Sequence, residues 1–149
     1  ALHAAQRSQS FIYNGVEVST SSNPLSHLIL RGGLDDCGRI KPNYHYEDLL
    51  EAAAMYNKES FSNPFVLIDT NHDNSGKKYL DQIRITKEVL TNRAWNPQIS
   101  KLVRGLMIES YLADGRGEGG SQEYGQSITD PCLGWDKTAD LVNYIHQNV

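Results

Sequence analysis

Four side chains of the sequence have types that suit the binding of a metal ion or an anion: Arg31, His72, Glu109 and Asp130. An imidazole supplies a neutral nitrogen ligand and carboxylates supply charge, so His72 with the two acids suits Mn, Fe, Co or Zn better than Ca. Arg31 precedes two glycines, which allow a ligand to approach the backbone beside the planar guanidinium. The residue types therefore predict a divalent metal site next to a site for a phosphate or carboxylate group.

Each of the four residues also has a purely structural interpretation. Arg31 could form an ion pair, and His72, in a polar segment, could be solvated. Asp130 precedes Pro131 and could serve as a turn or capping residue. Glu109 directly follows the apolar residues "LMI". Because an isolated buried charge is costly, this carboxylate is expected to be paired or metal-bound.

Three strand–helix units are predicted to position these side chains. Continuous apolar runs are typical of parallel strands covered on both faces. Three such runs occur at 27–33, 65–72 and 103–112. Amphipathic helical patterns follow them at 44–60, 75–93 and 134–149. The last of these helices has Asp136 as its expected N-cap.

Two further elements precede these units. Residues 1–9 have the pattern of the end of a helix, and residues 10–23 hold a Gly-centred turn between two short β-prone segments, which predicts a hairpin. The three strand–helix units then take up residues 24–149. This order predicts one α/β domain over residues 1–149, with a parallel sheet and right-handed crossovers.

The spacing of the candidate residues matches the repeat of these units. Arg31, His72 and Glu109 end the predicted strands and are roughly 40 residues apart, about the size of one strand–helix–strand unit. Each such unit returns the chain to the same end of the sheet, so the three residues are expected to cluster at its carboxyl edge. Asp130 is expected to join them there, where α/β folds hold their active sites.

The overall composition argues against some classes of function. The formal net charge of −4 gives no reason to expect binding to nucleic acid or to an anionic membrane, and no apolar run has the length of a membrane span. Cys37 and Cys132 form no motif and no signal-peptide pattern precedes them, which favours reduced thiols in a cytoplasm. The first residue is Ala, which favours a fragment or a processed product. The Gly-rich segment 113–127 is predicted to be a mobile loop.

Five segments of the sequence occur together, and in this order, in one enzyme family: "HLILRGG", "PNYHYEDL", "IDTNHDNSGK", "GLMIESYL" and "YGQSITDPCLGW". Together they resemble the C-terminal portion of type I 3-deoxy-D-arabino-heptulosonate 7-phosphate (DAHP) synthases. The resemblance covers nearly the whole chain. The candidate His, Glu and Asp also suit the related 3-deoxy-octulosonate phosphate synthases, but the wording of the first two and the last segments favours the heptulosonate enzyme.

The resemblance implies a (β/α)8 TIM barrel, of which this chain would supply about three C-terminal strand–helix units. It implies a transferase that joins phosphoenolpyruvate to erythrose 4-phosphate and releases phosphate, in the first step of the shikimate pathway of aromatic amino acid biosynthesis. His72, Glu109 and Asp130 match three ligands of the divalent metal cofactor in that family. Arg31 matches the arginine that holds the phosphate of phosphoenolpyruvate, so it and His72 are the expected catalytic and substrate-binding residues.

Two motifs of that family are absent from the sequence. One is a "GPCS" stretch with a fourth metal ligand, a Cys, and the other is the "KPRT" segment that holds erythrose 4-phosphate. The isolated chain is therefore expected to be inactive. Because the three strands leave two open edges, we also expect a homo-oligomer or a rearranged small α/β layer. The alternatives are a truncated relative that binds a metal or a phosphate without catalysis, and an enzyme similar to the 3-deoxy-octulosonate phosphate synthases.

Overall fold

The computed structural model describes residues 1–59, 61–117 and 123–149 of the chain. The centre of the loop predicted at 113–127 lies outside these residues, so its predicted mobility stays a prediction. Within the described residues, the helices in chain order are α1 (Leu2–Ala5), α2 (Tyr46–Lys58), α3 (His72–Ser75), α4 (Asp81–Trp95), α5 (Pro97–Leu102) and α6 (Trp135–Gln147). No helix in these parts of the chain combines the length and the apolar character needed to cross a membrane.

The strands of the described residues form three separate sheets. In chain order the strands are β1 (Ser10–Tyr13), β2 (Val16–Ser19), β3 (Leu28–Leu30), β4 (Gly33–Leu34), β5 (Ile40–Lys41), β6 (Val66–Asp69) and β7 (Val103–Met107). The pairs β1–β2 and β4–β5 are antiparallel, whereas β3, β6 and β7 form a parallel sheet with β6 in the centre. The chain is thus of mixed α/β class, and helices accompany its parallel sheet as predicted.

The parallel strands are shorter than the apolar runs from which they were predicted. Strand β3 ends one residue before Arg31, β6 three residues before His72, and β7 two residues before Glu109. The expectation that these residues end the strands is therefore wrong, and all three lie in the connections that follow. Because β3 pairs in parallel with β6, and β6 pairs in parallel with β7 with one register shift between Val66 and Leu67, the three connections still leave the sheet at its carboxyl edge.

One face of the parallel sheet forms the core of the molecule. Val66 and Ile68 of β6 are fully buried, in one cluster with Val89 of α4 and with residues of α2 and α5. Side chains alternate between the two faces of a strand, and the opposite face is partly open. There, Ile29 of β3 is 42% exposed and Met107 of β7 is 37% exposed. The expectation of strands covered on both faces is therefore wrong for the described residues.

Residues 10–23 contain the hairpin that the sequence predicts. Strands β1 and β2 pair from Ser10 opposite Ser19 to Tyr13 opposite Val16. The turn residues Asn14 and Gly15 both have positive φ, 50° and 77°. This is the conformation that matches the twist of two strands joined by a two-residue loop, and Asn-Gly is its favoured sequence.

The start of α6 differs from the expectation, because Gly134 rather than Asp136 is the N-cap and a distant carboxylate accepts its backbone N–H. The N-cap of α6 is Gly134, and Asp136 lies in the first turn rather than at the N-cap. The carboxylate of Asp114 accepts the backbone N–H of Gly134 at 2.7 Å and pairs with Lys137. A loop carboxylate therefore satisfies a free N–H at the helix start, where the sequence suggested a local cap.

Several elements differ from the predicted pattern, including α4, which begins at Asp81 where the helical pattern began at residue 75, and α3, which was not predicted. Helix α1 ends at Ala5, within the predicted 1–9. The short pair β4–β5 and helix α5 were not predicted. Helix α5 begins with Pro97 at its first turn, and the Asn96 side chain accepts the N–H of Gln98 at 2.8 Å, a favoured start for a helix.

Candidate metal centre

His72, Glu109 and Asp130 lie together at the carboxyl edge of the parallel sheet. The His72 Nε2 atom is 3.1 Å from Oε1 of Glu109 and 3.5 Å from Oδ2 of Asp130. One ligand atom from each of the three residues lies within 4.8 Å of the other two. Their side chains are 19%, 24% and 22% exposed, so the cluster is open to an incoming ion.

The turn that carries His72 contains residues with positive φ and packs closely against Gly32. His72 and Lys77 have positive φ of 43° and 62°, and Gly76 ends α3 in the left-handed conformation. Gly32, after β3, packs against this turn so tightly that a Cβ atom on it would lie 2.7 Å from the carbonyl carbon of Asp73. A side chain at position 32 would therefore push the turn, and with it His72, out of place.

Asp69, the last residue of β6, fixes the orientation of the His72 ring. Asp69 is 1% exposed, and its Oδ2 atom lies 2.7 Å from Nδ1 of His72. Its other carboxylate oxygen accepts the backbone N–H of Asn71 at 2.9 Å. Because a carboxylate accepts hydrogen bonds, the contact with Asp69 requires a proton on Nδ1 of His72, and Nε2 is the ring nitrogen that faces the two acids. This is the arrangement in which histidine ligates a metal.

Glu109 is held by two buried amide side chains. Gln82 of α4 is fully buried, accepts the backbone N–H of Glu109 at 2.9 Å and donates to its carbonyl oxygen at 3.0 Å. The Asn71 side chain donates to Oε2 of Glu109 at 2.9 Å. The other carboxylate oxygen, Oε1, is the one that faces His72. Asn71 thus supplies a hydrogen bond to the partly buried carboxylate of Glu109, Gln82 fixes the backbone of this residue, and Oε1 remains available to a ligand.

Asp130 is paired with a lysine from the His72 turn. The Lys77 ammonium donates to Oδ1 of Asp130 at 2.8 Å. This hydrogen bond lowers the pKa of Asp130; burial opposes the shift, and the charges of Lys77, His72 and Arg116 add to it. Asp130 is therefore kept in the anionic form that a metal ligand requires, with Oδ2 facing His72.

Arg31 forms no hydrogen bond or ion pair with this cluster in the described part of the chain. It is exposed and directly follows β3 at the carboxyl edge of the sheet. Among the described residues its side chain has no hydrogen bond or ion pair. The structural interpretation of Arg31 as an ion-pair residue therefore finds no partner there. Its guanidinium is available to a ligand, and its role in anion binding stays a prediction.

Cys132 lies near the cluster but is not one of its members. Its thiol is buried and contacts the carbonyl oxygen of Asp130 at 3.3 Å. Burial raises the pKa of this thiol, and the nearby carboxylates of Glu109 and Asp130 raise it further. A hydrogen bond with Ser127 opposes this shift. The cluster of neighbouring ligand atoms in the described residues consists of His72, Glu109 and Asp130, without Cys132.

Sequence reasoning singled out the three residues of the cluster but missed those that hold them. Asp69 and His72 are three residues apart, and this Asp-x-x-His spacing at the end of an apolar run is a signal that could have pointed to Asp69. No local pattern points to Asn71 or Gln82, because their partners lie 38 and 27 residues away. Lys77, which contacts Asp130 across 53 residues, has no local signal either.

Comparison with known proteins assigns the chain to a family. The sequence model of the DAHP synthetase I family matches residues 1–143. The chain belongs to the DAHP synthetase I family. The resemblance found in the five segments is thereby confirmed at the level of the family.

Curated relatives of this family have similar sequences. The chain is 39% identical over 135 residues to the phospho-2-dehydro-3-deoxyheptonate aldolase of Haemophilus influenzae, a match of 89% of this chain and 35% of the relative. It is 38% identical over 151 residues to the Trp-sensitive aldolase of the same name from Escherichia coli K12, covering 95% of this chain and 40% of the relative. The chain thus spans less than half the length of these DAHP synthetase I family relatives.

A solved structure of a family relative has the same fold. The chain superposes on a phospho-2-dehydro-3-deoxyheptonate aldolase of Francisella tularensis with a TM-score of 0.80 and 27% sequence identity. The superposition covers 99% of this chain and 42% of the solved chain. The mixed α/β fold described above is therefore that of a segment of such an aldolase.

Proposed function

We propose that this chain supplies part of the active site of a DAHP synthase, the enzyme that joins phosphoenolpyruvate to erythrose 4-phosphate and releases phosphate. The observation that carries the proposal is the convergence of His72, Glu109 and Asp130 within 4.8 Å, in a member of the DAHP synthetase I family. An imidazole nitrogen and two carboxylates are a donor set that suits Mn, Fe, Co or Zn. The names of the aldolase relatives support the same reaction class.

The chain's own residues would prepare the site in three ways. Asp69 keeps the proton on Nδ1 of His72, so that Nε2 is free to bind. Lys77 keeps Asp130 anionic, and Arg31 offers an unpaired guanidinium to the phosphate of phosphoenolpyruvate. A divalent ion bound by His72, Glu109 and Asp130 would supply Lewis acidity towards the aldehyde of the sugar phosphate.

We also propose that the parallel sheet is part of a (β/α)8 barrel. A barrel strand buries one face under the outer helices and the other in the barrel interior. In this chain the helix-covered face is buried, whereas Ile29 and Met107 on the other face are 42% and 37% exposed. This face would be covered by the remaining strands, and the chain spans 42% of the solved aldolase.

A cytoplasmic location and self-association of the chain are further proposals.

The absence of the "GPCS" and "KPRT" segments supports the proposal that the isolated chain does not catalyse the condensation. Phosphate release from phosphoenolpyruvate in the presence of erythrose 4-phosphate and Mn²⁺ measures this directly. We expect no release above the protein-free rate, and stoichiometric release by the 149-residue chain alone would contradict the proposal.

A second candidate function is metal binding without catalysis. It is favoured by the presence of three candidate ligands in a chain that spans 35% to 40% of two curated relatives. Metal titration separates the two functions. An incomplete catalytic site should bind Mn²⁺ or Zn²⁺ weakly and lose that binding in His72→Ala, whereas a dedicated binding module should bind tightly.

A further inference from the structure

Asn71 is a fully buried amide that contacts all three segments of the candidate metal centre. It immediately precedes His72. Its Nδ2 atom donates to Oε2 of Glu109 at 2.9 Å and to the carbonyl oxygen of Pro131, the neighbour of Asp130, at 3.3 Å. One side chain therefore joins the connection after β6 to the connection after β7 and to the segment that carries Asp130.

The orientation of this amide follows from the chemistry of its neighbours. A carboxylate and a backbone carbonyl can only accept hydrogen bonds, so the two N–H bonds of Asn71 must point to Glu109 and Pro131. The Oδ1 atom of Asn71 accepts the hydroxyl of Ser75 at 2.8 Å. The hydrogen-bonding capacity of the Nδ2 group is thus used in full, and rotation of the amide by 180° would place its oxygen against two other acceptors.

The backbone of Asn71 also takes part in the arrangement. Its N–H donates to Oδ1 of Asp69, whose other oxygen holds the His72 ring. The same residue therefore contributes to the position of His72 through its backbone and to that of Glu109 through its side chain. An amide of this kind can hold a carboxylate in one orientation without adding charge to the site.

We propose that Asn71 is the positioning residue of the metal centre, which fixes Glu109 and the Asp130 segment relative to His72 before an ion binds. The inference deepens the proposed function, since it rests on these three residues being the metal ligands. Asn71 does not touch the ion or the substrate itself. Its effect passes through the Oε2 atom of Glu109, which leaves Oε1 turned to the shared site.

The first test compares two buried asparagines in metal binding. Asn71→Leu removes both donors with little change in volume, and we expect Co²⁺ affinity to fall about 10- to 100-fold, the range typical for residues that orient metal ligands. The visible absorption spectrum of the Co²⁺ complex should also change, because the position of Glu109 is altered. The control is Asn92→Leu in α4, where a buried Asn is 6% exposed and its amide nitrogen has no hydrogen-bond partner among the described residues.

Unchanged Co²⁺ affinity and spectrum in Asn71→Leu would overturn the proposal, as would an equal loss in Asn92→Leu. The comparison is made on the 149-residue chain.

The second test needs neither metal nor substrate, so it holds even if Asn71→Leu fails to fold. In the wild-type chain, the side-chain NH₂ signals of Asn71 in ¹H–¹⁵N NMR spectra should exchange slowly with water. Glu109→Gln replaces the charged acceptor by a neutral one, and the Asn71 signals should then shift and exchange faster. Unaltered signals in Glu109→Gln would overturn the inference. Stoichiometric phosphate release by the isolated chain in the condensation assay would count against the proposal that the isolated chain is inactive, and it would leave the Asn71–Glu109 contact untested.

Discussion

The imidazole of His72 has a carboxylate on each side, and this decides how it can serve as a ligand. Asp69 lies 2.7 Å from Nδ1 and Glu109 lies 3.1 Å from Nε2. The buried Asp69 holds the ring from behind, while the more exposed Glu109 faces the same open space as Nε2. A His72 ring without Asp69 would be free to rotate and to exchange the roles of its two nitrogens.

Replacement of the carboxylate behind His72 should weaken metal binding. In Asp69→Asn the amide can still contact Nδ1, but the charge that favours the Nδ1 proton is lost. We expect Mn²⁺ affinity to fall roughly 10- to 100-fold, as measured by isothermal titration calorimetry. Asp73→Asn, one residue beyond His72, should retain the wild-type affinity. An equal loss in both variants would show that the effect is not specific to the Asp69–His72 contact.

At the scale of elements, the connection after β6 is the part of the molecule that the sequence predicted least well. The apolar run with its polar ending correctly indicated a parallel strand. The apolar run predicted a longer strand than the structure contains, because His72 has a φ of 43° and begins the short helix α3 instead. The three candidate ligands could be selected from residue type and repeat length, and the structure brings these three residues together. The amides of Asn71 and Gln82 could not, since their hydrogen bonds link segments that only the folded sheet brings together.

Gly32, which follows β3 and packs against α3, should be essential to the connection after β6. Gly32 has a φ of 74°, and a Cβ atom there would lie 2.7 Å from the backbone of Asp73. Gly32→Ala should lower the free energy of unfolding by on the order of 2–4 kcal/mol, through backbone strain and steric conflict together. Urea denaturation followed by circular dichroism measures this change. Gly33→Ala is the matched control, since nothing lies within 4 Å of its Cβ position, and equal destabilisation of the two would refute the packing argument.

The start of α6 should make the stability of the chain depend on pH in the acid range. The hydrogen bond from the Lys137 side chain lowers the pKa of Asp114, and the hydrogen bond from the N–H of Gly134 lowers it further. Desolvation opposes this shift. A lowered folded-state pKa gives a contribution to stability that is present above the unfolded value of about 3.9 and disappears as the pH falls through the folded value.

The Asp114→Asn variant should therefore be less stable than wild type at pH 6, and the difference should shrink as the pH falls below about 4. Urea denaturation at a series of pH values measures it. In a double-mutant cycle with Lys137→Met, the coupling between the two side chains should vanish over the same interval. A stability difference that stays constant down to the lowest pH would contradict the assigned role of Asp114.

At the scale of the whole molecule, the parallel sheet has two features that favour contact with further polypeptide. Its outer strands β3 and β7 each have one edge without a partner strand in the described residues. Its open face carries Ile29 and Met107, both partly exposed. The superposition on the solved aldolase includes 99% of this chain and 42% of the aldolase chain. The positions of the three parallel strands could be predicted from the apolar runs, whereas the polypeptide that would cover their open face and edges could not.

The isolated chain should therefore self-associate. Sedimentation or light scattering should give a mass above that of the 16.7 kDa monomer. Ile29→Lys places a charge on the open sheet face and should shift the distribution towards monomer. Ile12→Lys, on the hairpin, where Ile12 is 70% exposed, tests a different apolar surface and should have a smaller effect. A compact wild-type monomer would contradict this expectation.

The ligands of the candidate centre come from three segments that are separate in the chain, and this has a consequence for the dynamics of the fold. An ion bound by His72, Glu109 and Asp130 would be released whenever any one of the three segments opened. Binding would therefore disfavour each of these local openings by the same free energy, even though the segments differ in intrinsic stability. Amide hydrogen exchange would then slow in concert after β6, after β7 and before α6, so that the ion joins three local openings into one cooperative event.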